Sequence, residues 1–349
     1  MTKIGVIFGG MSTEHNISNI SGTSVIKHLD KNKYEIFPIY VDKSGEWYSY
    51  NKNINEIDIL SIDEEPLEIE KINNIIDYLK ELDIIFPVLH GLYGEDGSIQ
   101  GLFKLIDKKY VGCDILSSSI CMNKLYTKII FEKAGIKEAK SIYLNVYDDN
   151  YTYIDETMNY IDVDINKLNE IIKDKLKYPV FIKPSNSGSS VGVNKASNID
   201  ELDRYIKEAS KYDKEILIEE EIIGREVECA VLGNDKVEAS TVGEILSAND
   251  FYDYDSKYKN EKSIVKIPAN LDKDIIERIR SLAVKAFKAT HCKGLARIDF
   301  FVTKDNEIYI NEINTMPGFT SISMYPKLWE EAGISYEELL DKLILLASK

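Results

Sequence analysis

Residues 183–192 read KPSNSGSSVG: one lysine, two glycines, four serines and an asparagine. The preceding YPVFIK is a β-branched and aromatic run that reads as a strand, and GVNKA reads as the return strand of a hairpin. Glycine lets successive backbone N–H groups converge on one concavity, and serine hydroxyls such as those of Ser189 and Ser190 add donors. Lys183, the last inward-facing residue of the strand, supplies a point charge to any anion held there. The order differs from G-x-x-x-x-G-K-[ST], in which the lysine follows the glycines. Two readings stand at this point, a phosphate cradle and a plain flexible turn.

The flanking chain supplies a framework for the loop. KIGVIFGG reads as a buried strand ended by Gly9 and Gly10. ISNISGTSVIKHLD has helical apolar spacing, and YEIFPIYVD and DIIFPVLHG are further strands. Strands alternating with helices predict a parallel α/β sheet, with its ligand crevice at the strand C-terminal ends, where FGGMSTEH and LHGLYGEDGS fall. SICMNKLYTKIIFEKAGI reads as one helix capped by a serine of SSS. Residues 144–178 offer a helix over INKLNEIIKDKL and no clear element before it. ELDRYIKEASKYD, a segment from about Asp274 to Thr290 and YEELLDKLILLAS read as helices; EILIEEEI, EVECAVLG, ARIDFFVT and EIYINEINT read as strands.

A chain of 349 residues calls for two or three domains. The division expected is 1–114, 115–217 and 218–349. An apolar fraction of 44% and a charged fraction of 29% are those of a soluble globular protein, and no apolar run approaches bilayer length. MTKIGVIFGG reads as a first strand and not a signal peptide, so a cytoplasmic location is expected. A formal charge of −16 argues against nucleic acid. Four cysteines without a C-x-x-C pair are expected to be reduced thiols, mostly buried or inert.

In ARIDFFVTKDNEIYINEINTMPGFT, Arg297 and Asp299 alternate along one strand, and Glu312 and Asn314 along the next. A hairpin puts Asp299, Glu312 and Asn314 on one face, a set of hard oxygens suited to Mg²⁺; a solvated outer face is the alternative. In EEEIIGREV, the backbone around Glu219, Glu220 and Ile222 could read an adenine edge while Glu226 takes a ribose hydroxyl, or the run is a polar surface strand. FYDYDSKYKNEKS, with Phe251, Tyr252, Tyr254 and Tyr258, suits a mobile lid better than a plain surface loop.

Taken in order, FGGMSTEHNIS, FPVLHGLYGEDGSIQG, CMNKLYTK, FIKPSNSGSSVGV, EEEIIGREV, FYDYDSKY, ARIDFF and NEINTMPGFTSISMYP resemble the ATP-grasp enzymes, and among them the D-alanine–D-alanine ligases, over nearly the whole chain. The resemblance implies an N-terminal parallel-sheet domain followed by two α+β subdomains that clamp ATP. It implies that KPSNSGSSVG lies over the triphosphate, that Lys124, Lys183 and Lys257 hold phosphates, and that Asp299, Glu312 and Asn314 hold two Mg²⁺ (or Mn²⁺). Arg297 and the Gly318 N–H would stabilise an oxyanion, Glu14 would pair with the first D-alanine ammonium with His90 nearby, and Ser189 and Tyr258 would link Glu14 to the lid. Ser323 would bind the second D-alanine carboxylate. A homodimer is also implied.

Two positions depart from the family pattern: Asn123 precedes Lys124 where aspartate is usual, and Ile322 stands where histidine is common. Relatives that make D-alanyl-D-lactate or D-alanyl-D-serine tend to carry arginine at the position of Met324; methionine suits the methyl group of D-alanine. The rival readings are an ATP-grasp ligase for another carboxylate and amine, and a nucleotide-binding protein without chemistry.

Overall fold

A computed structural model describes residues 1–50, 53–61, 63–148, 150–246, 264–320 and 322–349. The continuous apolar run at the N-terminus forms β1 (Thr2–Gly9), buried on both faces as a central parallel strand requires. β2 (Tyr34–Val41) and β5 (Ile84–Pro87) flank it in parallel, and β6 (Lys109–Tyr110) pairs in parallel with β5. β3 (Trp47–Tyr50) and β4 (Ile69–Lys71) extend the sheet antiparallel at the other edge. The expected parallel sheet is therefore its central and β6 side; the added edge is too short and polar to announce itself in sequence. α1 (His15–His28), α2 (Ile75–Lys80) and α3 (Ser98–Leu105) connect these strands.

Residues 115–133 form two helices, not one: α4 (Ile115–Met122) and α5 (Lys124–Lys133). Asp114, not a serine, caps α4 through the Ser117 N–H at 3.0 Å. The break is at Asn123, whose Oδ1 accepts from the Leu125 and Tyr126 N–H groups at 3.1 and 3.3 Å. Its Nδ2 donates to Glu215 at 2.7 Å.

A second sheet contains β7 (Ser141–Tyr147), β8 (Asn150–Ile154), β9 (Tyr160–Val163), β10 (Val180–Pro184), β11 (Asn194–Ala196) and β12 (Glu215–Glu220), in the order β11-β10-β12-β7-β8-β9. The unassigned stretch before INKLNEIIKDKL is thus strand. Ile142, Leu144 and Val146 alternate inward, and they pack with α6 (Ile165–Lys175) and α7 (Ile199–Ala209). β10 and β11 form the expected hairpin around the glycine-rich loop.

The third sheet is fully antiparallel: β13 (Arg225–Gly233), β14 (Val237–Leu246), β15 (Ile264–Lys266), β16 (Gly294–Val302) and β17 (Ile308–Asn314), ordered β15-β14-β13-β16-β17. Val227, Cys229, Val231, Ile298 and Phe300 pack on α8 (Lys273–Ala289). On the opposite face, Ala230, Leu232 and Leu295 join one core with the first sheet, α9 (Met324–Glu331) and α10 (Tyr336–Ser348). The rest of that face carries the charged residues of the candidate site. We place the second unit boundary after Glu220, because a border at 217/218 cuts β12. Among the described residues, no helix is long and apolar enough to cross a membrane.

Asn123→Asp keeps the helix cap but sets a second carboxylate beside Glu215. We expect a stability loss of about 1–3 kcal/mol at neutral pH. The pair would raise its own carboxyl pKa, so the penalty is present at high pH and fades as acid supplies the shared proton. Denaturant unfolding of both proteins across pH checks this; an identical, pH-independent stability would show that the contact carries no weight.

Candidate active site

A cavity of about 530 Å³ opens between the third sheet, the glycine-rich loop, the α4–α5 junction and the loops of the first sheet. Its floor follows from strand register. Glu228 on β13 is the direct partner of Asp299 on β16, which is the direct partner of Glu312 on β17. In the adjacent row, Arg297 lies opposite Asn314. Direct partners share a face, so three carboxylates, an amide and a guanidinium are brought together. A bulge just after the Asp299–Glu312 pair adds a residue to β17.

Arg297 donates from Nε and Nη2 to the two oxygens of Asp299 at 2.8 and 2.7 Å, a planar fork. Glu228 lies 2.9 Å from the same Nε. Burial pulls the Arg297 pKa down, and Asp299 and Glu228 more than reverse this, holding the guanidinium charged. Its Nη1 donates to no described residue, and Arg297 borders the cavity.

A second charged group lies beside the glycine-rich loop. Lys124 Nζ donates to the Ser187 carbonyl of the glycine-rich loop at 2.7 Å, and burial pushes its pKa down. Glu219 bridges Lys183 at 2.5 Å and Lys128 at 2.8 Å. Burial favours its neutral form, but the two lysines outweigh burial and take its pKa down to about 2. A side cavity of about 30 Å³ joins Lys124, Lys128, Lys183, Glu219 and Glu312. The expected adenine-edge segment straddles the end of β12. The Glu219 backbone is paired within the sheet, and the Glu220 N–H goes to the Lys140 carbonyl at 3.0 Å while its carboxylate accepts from the Lys140 N–H at 2.9 Å. The chain leaves the sheet only after Glu220, so Ile222 keeps a backbone free of strand pairing. Glu226 sits on β13, one alternation from Glu228.

At the other end of the cavity, Ser189 Oγ donates to Glu14, joining the glycine-rich loop to the N-terminal unit. Ser189 and Ser190 both have left-handed backbones, φ 50° and 58°, which glycine would adopt at lower cost. Gly91 and Gly188 make room for Glu14: a Cβ at either would lie 2.5 or 3.1 Å from its Oε2. His90 is buried with both ring nitrogens engaged, Nδ1 to the Met316 carbonyl at 2.9 Å and Nε2 to Ser21 Oγ at 3.0 Å. Burial lowers its pKa, which favours the neutral ring. His90 therefore tethers the Met316–Phe319 turn in this arrangement. Gly318 lies in that turn, and its N–H has no described partner; a Cβ there would meet Ser323 Oγ at 2.8 Å. Ser323 Oγ accepts from the Thr320 N–H at 3.0 Å. Met324 lies over Gly243, the glycine that extends the carboxylate row beyond Glu228, and Ile322 is 63% exposed at the cavity mouth.

Glu228, Glu95 and Lys128 were not singled out in sequence. Glu95 accepts from the N–H groups of Gly91 and Met316, both at 2.9 Å, and burial with Glu14 nearby pushes its pKa up to about 7. Its one signal is an acid between glycines in LYGEDG. Lys257 and Tyr258, with the expected lid, lie outside the described residues.

Among the described residues, no three His, Cys, Asp or Glu side chains converge as a metal cage. Glu312 and Asn314 border the cavity, while Asp299 lies beneath, its oxygens already accepting from Arg297 and from Asn314 Nδ2 at 3.1 Å. A carboxylate offers about four lone-pair sites, so Asp299 retains one. Two carboxylates and an amide oxygen fit Mg²⁺, which keeps waters and substrate phosphates as its other ligands.

The same chain matches the family models for the N-terminus and C-terminus of D-ala D-ala ligase, over residues 3–113 and 130–345. A D-alanine–D-alanine ligase of Acetivibrio thermocellus is 49% identical, with 99% of this chain and 95% of the relative covered. The solved VanG D-Ala:D-Ser ligase of Enterococcus faecalis is 38% identical with a TM-score of 0.85, covering 99% of each chain. The D-alanine–D-alanine ligase of Bacillus anthracis, solved in complex with ATP, is 30% identical with a TM-score of 0.75, covering 99% of this chain and 97% of that one. With its glycine-rich hairpin and its Arg297–Asp299–Glu312–Asn314 face, the chain belongs to the D-alanine–D-alanine ligase family.

Proposed function

We propose that this protein joins two molecules of D-alanine into D-alanyl-D-alanine at the expense of ATP. The observation that carries the reading is the buried face on which Arg297, Glu312 and Asn314 border one cavity with Lys124 and the glycine-rich loop. The first D-alanine carboxylate attacks the γ-phosphate, giving an acyl phosphate and ADP. The amine of the second D-alanine attacks the acyl carbonyl, and phosphate leaves. Phosphoryl transfer is mostly positioning and charge neutralisation, and Lys124 and Lys183, which line one side cavity beside the loop, would supply both. Asp299, Glu312 and Asn314 would hold two Mg²⁺, which offset phosphate charge that carboxylates alone would oppose. Arg297 Nη1 and the Gly318 N–H receive the oxyanion of the tetrahedral step. Glu14, fixed by Ser189, takes the first ammonium, and Ser323 the second carboxylate. The backbone around Glu219, Glu220 and Ile222 meets the adenine edge, and Glu226 takes a ribose hydroxyl. A homodimer and a cytoplasmic location complete the reading; family resemblance supports them.

ADP release with Mg²⁺-ATP, with products identified by mass, tests the proposal. D-Alanine alone should yield D-alanyl-D-alanine, and L-alanine alone should yield nothing. Dominance of a mixed product when D-serine or D-lactate is added would assign a different second substrate, and silence with all of them would remove the ligase reading. Glu228→Gln keeps the shape and removes the charge beside Arg297. We expect kcat to fall roughly tenfold or more, with little change in KM for ATP; an unchanged kcat would separate Glu228 from the chemistry. Met324→Arg should change the ratio of D-serine to D-alanine use by about tenfold, the scale of one side-chain contact; an unmoved ratio would take specificity away from this position.

A further inference from the structure

Cys121 and Cys292 are 171 residues apart in the chain, yet their sulfurs are in van der Waals contact at 3.7 Å. Both thiols are free. Cys121 is half-buried and borders both the main cavity and its side cavity, whereas Cys292 is buried behind it. Cys113 completes a three-thiol cluster through a hydrogen bond with Cys292 and also reaches the carbonyls of Lys293 and Leu295 at 3.5 and 3.6 Å, but it is buried and, unlike Cys121, borders neither cavity. The contacting pair thus has one member open to the cavity and one placed to react with it.

We propose that Cys121 and Cys292 are a peroxide-responsive thiol pair that couples oxidation to the catalytic cavity. The Cys121 thiolate attacks hydrogen peroxide, forming an S–O bond and breaking the O–O bond, with water as the other product once a proton is taken up. The Cys292 sulfur then displaces the hydroxyl from the Cys121 sulfenic acid, forming the disulfide and a second water. Two electrons leave the two thiols, and both peroxide oxygens end as water. A disulfide requires the sulfurs to approach to about 2.05 Å. That approach pulls on both walls of the cavity. Cys121 is the penultimate residue of α4, two before Asn123 and three before Lys124, whose amine holds the glycine-rich loop at Ser187. Cys292 lies just before β16, which carries Arg297 and Asp299.

The full chain is treated with hydrogen peroxide, alkylated, digested without reduction and mapped by mass. A peptide pair joining Cys121 to Cys292 is expected, with ADP release falling roughly tenfold or more and returning on treatment with dithiothreitol. Cys292→Ser, outside the cavity lining, should keep its basal rate, form no cross-link, and leave a sulfenic acid on Cys121 that dimedone captures. A Cys113–Cys292 link instead, or no cross-link at peroxide levels that modify Cys121, would overturn the proposal. So would a cross-linked protein of full activity. Peptide mapping does not depend on the ligase reading, so failure of that reading leaves the thiol chemistry separately measurable.

Discussion

Arg297 is held between Asp299 and Glu228 on a face largely closed to water, and this clamp sets the electrostatics of the cavity. In such surroundings a charge–charge interaction is several-fold stronger than in bulk water. The same burial makes an unmatched charge costly: removing one partner of a buried pair typically costs about 3–5 kcal/mol. The fork to Asp299 fixes the guanidinium plane, and Glu228 adds a second negative charge at Nε. An oxyanion held there, as proposed, would need little reorganisation, the condition under which electrostatic stabilisation of a transition state is greatest. The Glu228–Asp299–Glu312 row has three negative groups against the one cation of its neighbouring row, an excess that divalent cations would offset.

The clamp would be of little use without the contacts that bring the other units to it. Each is a polar group satisfied across a unit border. Ser189 reaches Glu14, His90 reaches the Met316 carbonyl, and Glu95 reaches the Met316 N–H. Phe319 continues the turn into the core, edge-on to Phe86 with ring centroids 5.8 Å apart. The Met316–Phe319 turn is therefore held from below by apolar burial and from the side by buried hydrogen bonds. That is why Gly318 can present an N–H at a fixed position.

Much of this was legible in the sequence because strand alternation is rigid. Once ARIDFF and NEINT are strands, Arg297 shares a face with Asp299 and Glu312 with Asn314, and a hairpin between them in this register puts all four on one face. Glu228 was not legible by the same rule, because its place beside Asp299 depends on the pairing of β13 with β16 and on their register. Cys121 and Cys292 meet only through tertiary packing. The α4–α5 break was hidden because asparagine is tolerated inside a helix as well as at its cap; the decision is made by Glu215 and the Leu125 N–H. Residues 141–163 were obscured by Tyr, Asp and Asn, although Ile142, Leu144 and Val146 alternate inward. The aromatic segment with Lys257 and Tyr258 lies outside the described residues.

Asn123 shows how a departure from a family pattern can be explained by its surroundings. Its amide accepts from two helix N–H groups and donates to Glu215, which also lies 3.3 Å from Asn186 Nδ2 in the glycine-rich loop. An aspartate could cap the helix equally well, but it could not donate. Glu215 would then face a like charge and compete for the Asn186 contact. Asn186 is also bound to Asp213 through its backbone N–H at 2.7 Å and its side chain at 2.9 Å. The neutral residue before Lys124 therefore allows two acids on β12 and its approach to anchor the loop. The loop in turn offers the Ser187 carbonyl to Lys124. One amide proton donor thus connects the start of a helix to the position of the Lys124 ammonium.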